Sequence, residues 1–170
     1  MQGTARIQDG KVAATQAELK RLPDALSFRI ARLAAINERA GTQHFRDELG
    51  ISLSGWRVIG LVAEGDPATT ISVRDALVMD RGLLSRVVKE LITGGLLLSQ
   101  PSPTDKRQTQ LYLTPDGWAL HKKCIAFTKE RNAVMTGSLT PHEEAEFSRV
   151  LDILIKENAE RLRLRSLSND

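Results

Sequence analysis

The chain has 170 residues, of which 41% are hydrophobic, 26% are charged and 4% are aromatic. That length allows one domain with helical extensions and argues against a two-domain enzyme, since domains most often have about 100 to 150 residues. The composition excludes a disordered chain or a fibre. With so few aromatic residues, the core must consist mainly of Leu, Ile, Val and Ala, which favours helices over a β-sandwich.

The net charge of +3 is small, but its distribution along the chain is uneven. Between Arg81 and Arg107 five basic residues stand against two acidic ones, which predicts a local basic surface. The apolar runs are far shorter than the ~20 residues that cross a bilayer, and the first ten residues lack the apolar segment of a secretory signal. The single cysteine, Cys124, cannot form an internal disulfide. We therefore expect a cytoplasmic protein without membrane contact.

Helical periodicity and capping residues predict the elements in chain order. A disordered segment is expected over residues 1–18, and fraying from Arg163 and Arg165 onward. Helices are predicted over 19–49, with a weak point at Gly41, and over 52–63, 72–78, 80–93, 114–134 and 140–161, and β-strands over 96–100 and 109–113.

The apolar positions of these elements predict which residues face inward. The opposite face of the helix over 80–93 is predicted to be polar and to carry Arg81, Ser85, Arg86 and Lys89. The predicted inward residues are Trp56, Ile59, Val62, Leu84, Val87, Val88, Leu91, Leu111 and Leu113, with Tyr112 pointing the other way.

Three helices followed by a two-stranded ribbon is the order of a winged helix. The segments Leu91 to Leu96, Pro103 to Arg107 and Leu111 to Gly117 resemble the "L-x-x-x-G-L … D-x-R … L-T-x-x-G" wing signature of the MarR family of transcription regulators. The coarser helix order extends the resemblance over most of residues 20–160. It implies a mainly α fold with a small β-hairpin wing, in which a DNA-binding domain over 51–113 lies between dimerisation helices over 19–50 and 114–165.

The resemblance also implies a homodimer that binds a palindromic DNA operator, usually as a repressor that a small molecule releases, without catalytic residues, cofactor or metal. On physical grounds, Arg81, Ser85, Arg86 and Lys89 would enter the major groove of double-stranded DNA. Lys106 and Arg107 would reach the adjacent minor groove, whose negative potential attracts cations. In the family, the residue equivalent to Asp105 pairs with and orients the arginine two positions later.

Two assignments within this surface have alternatives. Asp105 is also a common turn residue that bonds to nearby backbone, and we expect both roles to act together. Leu83 either contacts thymine methyl groups or belongs to the core, and packing favours the core.

Apolar stripes run over Leu22 to Leu33 and over Phe147 to Leu162. Both lie outside the winged segment, residues 51–113, and each needs a partner to bury it. Packing them across a two-fold axis would bury both and would set the recognition helices about 34 Å apart. A monomeric helical bundle is the alternative.

The resemblance implies a small-molecule effector, often an aromatic or phenolic acid, between the dimerisation helices and the winged segment. His44, Arg46 and Trp56 flank the first helix junction and offer groups for an aromatic carboxylate. The alternative makes Trp56 a core residue, Arg46 a solvated side chain and His44 a satisfied surface group.

Other patterns that suggest chemistry have simpler explanations. His142-Glu143 starts like a zinc motif, but Glu146 stands where the second histidine must be, so helix capping is the better interpretation. Cys124 is either a thiol sensor or, as its helical spacing favours, a buried apolar residue. The functions from other classes are a protein-interaction module on the same fold and a small hydrolase, for which no motif is intact.

Overall fold

The computed structural model describes the backbone of residues 19–167 and the side chains of residues 19–163. The expectation of disorder over residues 1–18 therefore lies outside the described residues. A short 3-10 turn, Leu22–Asp24, precedes the first helix. The elements are α1 (Leu26–Leu49), α2 (Leu53–Glu64), β1 (Ala68–Thr69), α3 (Thr70–Leu77), α4 (Arg81–Thr93), β2 (Leu97–Pro101), β3 (Thr109–Leu113), α5 (Pro115–Thr136) and α6 (Pro141–Leu167).

The helices begin where the sequence offers an oxygen to the unpaired N–H groups of the first turn. Ser52 Oγ accepts from the N–H of Gly55 at 3.0 Å, and Thr114 Oγ1 accepts from the N–H of Gly117 at 3.0 Å. Thr140 and Glu143 form the expected reciprocal box, with Glu143 N donating to Thr140 Oγ1 at 3.3 Å and Thr140 N to Glu143 Oε2 at 2.8 Å. The backbone N–H and the hydroxyl of Thr140 both donate to Glu143 Oε2 at 2.8 Å, and these two bonds lower the pKa of Glu143. Helix capping thus explains the residues His142-Glu143, which start like a zinc motif.

The hydrophobic core lies mainly in the winged segment, where α2, α4 and the sheet pack around one apolar cluster. The sheet is antiparallel with strand order β1-β3-β2, and Leu97 pairs with Leu113. Alternation along β3 buries Leu111 and Leu113 and turns Tyr112 outward, as predicted. The predicted inward residues of α2 and α4 are buried or, for Val88, partly buried against this cluster.

A close approach joins the sheet to α5. The N–H of Thr114 donates to the carbonyl oxygen of Leu96 at 3.2 Å, and the Thr114 hydroxyl donates to the carbonyl oxygen of Gly95 at 2.7 Å. A Cβ at Gly117 would collide with the Leu96 carbonyl oxygen, so this position needs glycine.

Several predicted boundaries are corrected by the structure. α1 begins at Leu26 instead of residue 19, because Pro23 lacks an N–H and disfavours helical geometry in the residue before it. Gly41 does not weaken α1, which passes through it unbroken. α3 begins at Thr70 because Thr69 and Ser72 form a capping box. The predicted fraying from Arg163 onward is wrong for the backbone, since α6 continues to Leu167.

The helices outside the winged segment leave their apolar faces uncovered. Leu26, Ile30, Leu33 and Ile36 of α1 are exposed, as are Phe147, Val150 and Ile153 of α6. Within the described residues the single chain therefore folds a complete core and carries two helices whose apolar faces have no cover.

Candidate nucleic-acid interface

The helix α4 presents a polar face to solvent because most of its apolar residues lie on the other side. Asp80 starts the helix, with its Oδ1 accepting from the N–H of Leu83 at 2.8 Å. Leu84, Val87 and Leu91 are buried. Gly95 ends the helix with a left-handed φ of 72°, a conformation that costs glycine little. The helix is thereby fixed at both ends and along one side.

The predicted contact residues share the outward side of α4. Arg81, Ser85 and Lys89 follow one another at four-residue intervals, and Arg86 stands beside this row. All are exposed, and no other described residue forms an ion pair with the cations among them. The face therefore offers free guanidinium, ammonium and hydroxyl donors to a ligand.

Leu83 does not belong to this outward face. It is partly buried and packs against the core cluster, so the core alternative is correct. Gly82 remains exposed beside it, at the start of the helix.

The loop between β2 and β3 is organised around Asp105. Its Oδ1 accepts from the backbone N–H of Arg107 at 3.0 Å, and its Oδ2 accepts from Nε2 of Gln108 at 3.0 Å. Its own carbonyl oxygen accepts from the N–H of Gln108 at 2.9 Å. Asp105 thus acts as the backbone-bonding turn residue that one alternative describes.

The pairing of the two side chains that the resemblance implies is absent. Among the described residues no ion pair joins the Asp105 carboxylate to the Arg107 guanidinium. The carboxylate instead accepts hydrogen bonds from the backbone N–H of Arg107 and from Nε2 of Gln108. Asp105 holds the backbone of Arg107, and the exposed Lys106 and Arg107 side chains remain free.

The three residues predicted to bind an effector lie apart. Trp56 is only 9% exposed and stacks with Phe45 inside the core. His44 stacks on Phe127 with ring centroids 3.7 Å apart, and its Nδ1 lies 2.8 Å from Glu48 Oε1. Arg46 lies in a separate surface depression with Arg39 and Asp47. The three line different depressions and do not form one site.

A different arginine joins the two clefts between α1 and α5. Arg131 donates to the carbonyl oxygen of Asn37 at 2.8 Å and to its Oδ1 at 2.6 Å. Its guanidinium also lies 5.8 Å from the centre of the Phe127 ring. One cleft of about 180 Å³ includes Trp56, and its neighbour of about 470 Å³ includes His44. Arg131 lines both of them.

Cys124 lies inside the core, as its helical spacing predicts. Its side chain is 0% exposed, and burial raises the pKa of its thiol from 9.0 to about 11. A protonated, inaccessible thiol is a poor nucleophile, which argues against the sensor alternative.

Comparison with known proteins identifies the winged segment. The family model that matches this chain is that of the MarR family, over residues 49–108. This range contains α2 to β2 and the Asp105 loop described above. Over this segment the chain is similar to the MarR family. A Staphylococcus aureus protein described as an HTH-type transcriptional regulator is 25% identical over 122 residues, which are 68% of this chain and 84% of that protein.

Individual proteins are similar to this chain in sequence or in fold. The multiple antibiotic resistance protein MarR of Salmonella typhimurium is 27% identical over 109 residues, which are 64% of this chain and 76% of that protein. A mutant MarR from E. coli, crystallised with operator DNA, superposes with a TM-score of 0.68 at 23% identity, over 76% of this chain and 93% of that one. BpsR of Bordetella bronchiseptica, described as regulated in DNA binding by 6-hydroxynicotinic acid, gives 0.68 at 21% identity, covering 76% and 97%.

Some features of the structure have no signal in the sequence. Gln108 reaches Asp105 by a side-chain bond, and Arg131 meets Asn37, which lies 94 positions away in sequence. Val78 adopts a left-handed φ of 50°, unusual for a β-branched residue, in the turn before α4. No signal in one sequence selects Asn37 of α1 as the partner of Arg131 in α5.

Across residues 19–163, no three His, Cys, Asp or Glu side chains are grouped so that they could hold a metal ion. No helix in the described part of the chain has the length and apolar character needed to cross a membrane.

Proposed function

We propose that this chain acts as a homodimeric repressor that binds a palindromic DNA operator and is released by a small aromatic acid. The observation that carries the DNA-binding part is the set of exposed cations without ion-pair partners among the described residues. They lie on the outer face of α4 and at the tip of the β2–β3 loop: Arg81, Arg86, Lys89, Lys106 and Arg107.

The two parts of this surface have different roles in the proposal. α4 enters the major groove, where Arg81, Ser85 and Arg86 reach base edges or phosphates and Lys89 holds a phosphate. The loop, called the wing from here on, places Lys106 and Arg107 in the neighbouring minor groove, whose negative potential favours a guanidinium. Asp105 serves this contact indirectly, because it fixes the wing backbone.

The dimer part of the proposal rests on the uncovered apolar faces of α1 and α6. Phe147 and Leu33 are 39% and 42% exposed in the single chain, which is unusual for large apolar residues that recur along a helix. A second copy supplies the same faces in return, as two-fold symmetry requires. Residues 19–50 and 114–165 would then form the dimerisation region around a DNA-binding domain over 51–113.

The effector part of the proposal uses Arg131 instead of Arg46. A carboxylate entering either cleft would meet the guanidinium of Arg131 and could accept two parallel hydrogen bonds from it. The ring of the ligand would lie against Phe127 and His44, which already stack. Binding would draw Arg131 away from Asn37 and so loosen a contact between α1 and α5. That change is the proposed route from ligand to release.

Gel-shift titration of the full-length chain against the DNA upstream of its own gene, at two salt concentrations, tests DNA binding. We expect a specific complex whose affinity falls steeply with salt, because cations on the protein displace counterions from DNA. Lys89→Ala should reduce the slope of log affinity against log salt by about one unit. Binding that is absent, or indifferent to salt, would contradict the proposal.

Isothermal titration with benzoate and with 6-hydroxynicotinate tests the effector site. We expect Arg131→Ala to weaken binding of the better ligand by about tenfold or more, as for a lost charged hydrogen bond. Arg46→Ala is the matched control and should bind as the wild type does. Equal losses in both variants, or no binding of either acid, would contradict the assignment to Arg131.

A further inference from the structure

We propose that Gln108 is a positioning residue for DNA binding, which holds Asp105 and through it the backbone of Arg107. The inference rests on the proposed function, in which Arg107 contacts DNA. It concerns a residue outside the wing signature, since the signature includes Asp105 and Arg107 but leaves position 108 open.

The wing closes on itself through a small set of hydrogen bonds. The N–H of Ser102 donates to the carbonyl oxygen of Gln108 at 2.9 Å, and the N–H of Gln108 donates to the carbonyl oxygen of Asp105 at 2.9 Å. Ser102, only 5% exposed, also accepts from the N–H of Asp105 through its Oγ at 3.4 Å. Gln108 therefore contacts both ends of the loop through its backbone.

The side chain of Gln108 adds a bond that the backbone cannot supply. Its Nε2 donates to Asp105 Oδ2 at 3.0 Å, while Oδ1 of the same carboxylate accepts from the N–H of Arg107 at 3.0 Å. Two donors on opposite oxygens fix the rotation of the carboxylate. Hydrogen bonds to an ionised acceptor are the stronger kind, so this one is suited to hold a short exposed loop.

The bond also keeps the Asp105 carboxylate away from the cations that the wing needs. The bond to Gln108 fixes the orientation of Oδ2, and among the described residues the carboxylate forms no ion pair with Arg107 or Lys106. Without Gln108 the carboxylate could rotate toward either cation, which would neutralise the wing tip and weaken its attraction to the minor groove.

A purely structural role is the competing explanation, and the surroundings argue against it. Gln108 is partly buried but does not belong to the apolar core cluster. Among the described residues its side chain makes no hydrogen bond other than that to Asp105. Its loss should therefore change the wing and leave the stability of the core almost unaltered.

A double-mutant cycle tests the inference. The probe is the duplex that the full-length wild-type chain enriches from a randomised DNA pool, and the measurement is its dissociation constant. We expect Gln108→Ala to weaken binding by about fivefold, in the range of one hydrogen bond. In the Arg107→Ala background the same change should have almost no effect, because Gln108 acts through Arg107. Equal losses in both backgrounds would overturn the inference.

Two further variants separate positioning from loss of structure. Gln108→Glu keeps the size of the side chain but places a second carboxylate against Asp105, so it should bind more weakly than Gln108→Ala. Gln110→Ala, the matched control two positions later in β3, should bind the duplex as the wild type does. Wild-type affinity in Gln108→Glu, or an equal loss in Gln110→Ala, would overturn the inference.

The outcome also separates this inference from the proposed function. A wild-type chain that enriches no duplex would refute DNA recognition and the positioning role together. A wild-type chain that enriches a duplex, with Gln108→Ala binding it equally well, would refute the positioning role alone.

Discussion

The winged segment and the helices that flank it solve the burial of apolar residues in different ways. In the winged segment Val58, Ile59 and Val62 are completely buried within one chain. In α1 and α6 most of the large apolar residues stay exposed, although both helices are well formed. Helix formation therefore does not depend here on burial within the chain. One region is complete by itself, while the other leaves apolar faces that, in our proposal, a second copy covers.

The largest expected effect concerns the core of the winged segment. Ile59→Ala should lower the free energy of unfolding by about 4 kcal/mol, because it removes completely buried methyl groups and leaves a cavity. Urea denaturation measures the loss at two protein concentrations. The loss should be similar at both, since Ile59 is buried within the monomer. A loss below about 1 kcal/mol would contradict the assigned core.

The next effect tests the flanking helices. Phe147→Asp should raise the dissociation constant of the dimer by at least about a hundredfold, because it places a charge in the proposed apolar interface. Sedimentation velocity measures the dissociation, and circular dichroism should show that the helices remain.

Lys156→Asp is the matched control for this change. Lys156 follows Phe147 by nine positions, about two and a half helical turns, and so lies on the opposite side of α6. Dissociation by Lys156→Asp but not by Phe147→Asp would contradict the assignment of the dimer face.

A smaller effect is expected where the winged segment meets DNA. Arg107→Ala should weaken binding of the selected duplex by roughly 1 to 3 kcal/mol while the dimer stays folded. Fluorescence anisotropy measures the affinity, and Lys156→Ala, which removes a charge from α6, serves as control. An unchanged isotherm for Arg107→Ala would remove the wing tip from the contact surface.

The smallest effect concerns Cys124 in the core. Burial raises the pKa of its thiol from 9.0 to about 11, so folding favours the protonated form. The resulting stabilisation is complete below pH 9 and is lost as the pH rises toward about 11. Unfolding measured across this range should therefore show a steeper loss of stability in the wild type than in Cys124→Ala. Equal pH dependence in the two proteins would contradict the raised pKa.

The sequence predicted the parts of the fold that depend on local patterns. Asp80, Thr114 and Thr140 mark helix starts because capping needs only an oxygen and three following residues. Leu111 and Leu113 reveal the buried side of a strand because side chains alternate. β1 was not predicted, since two residues, Ala68 and Thr69, are too short to show any alternation.

The same distinction applies to the candidate site. The outward residues of α4 follow from its buried side, so Arg81, Ser85, Arg86 and Lys89 could be found by elimination. The pocket prediction was less successful, because His44, Arg46 and Trp56 are close in sequence but point into different surroundings. Arg131 and Asn37 meet only after α1 and α5 pack, and one sequence does not reveal that pairing.

The central claim is that two copies of this chain read one duplex together. Selection of duplexes from a randomised pool by the full-length protein tests it most directly. The account predicts an inverted repeat whose half-sites lie about one turn of the double helix apart. Enrichment of a single half-site, or of no sequence at all, would contradict it.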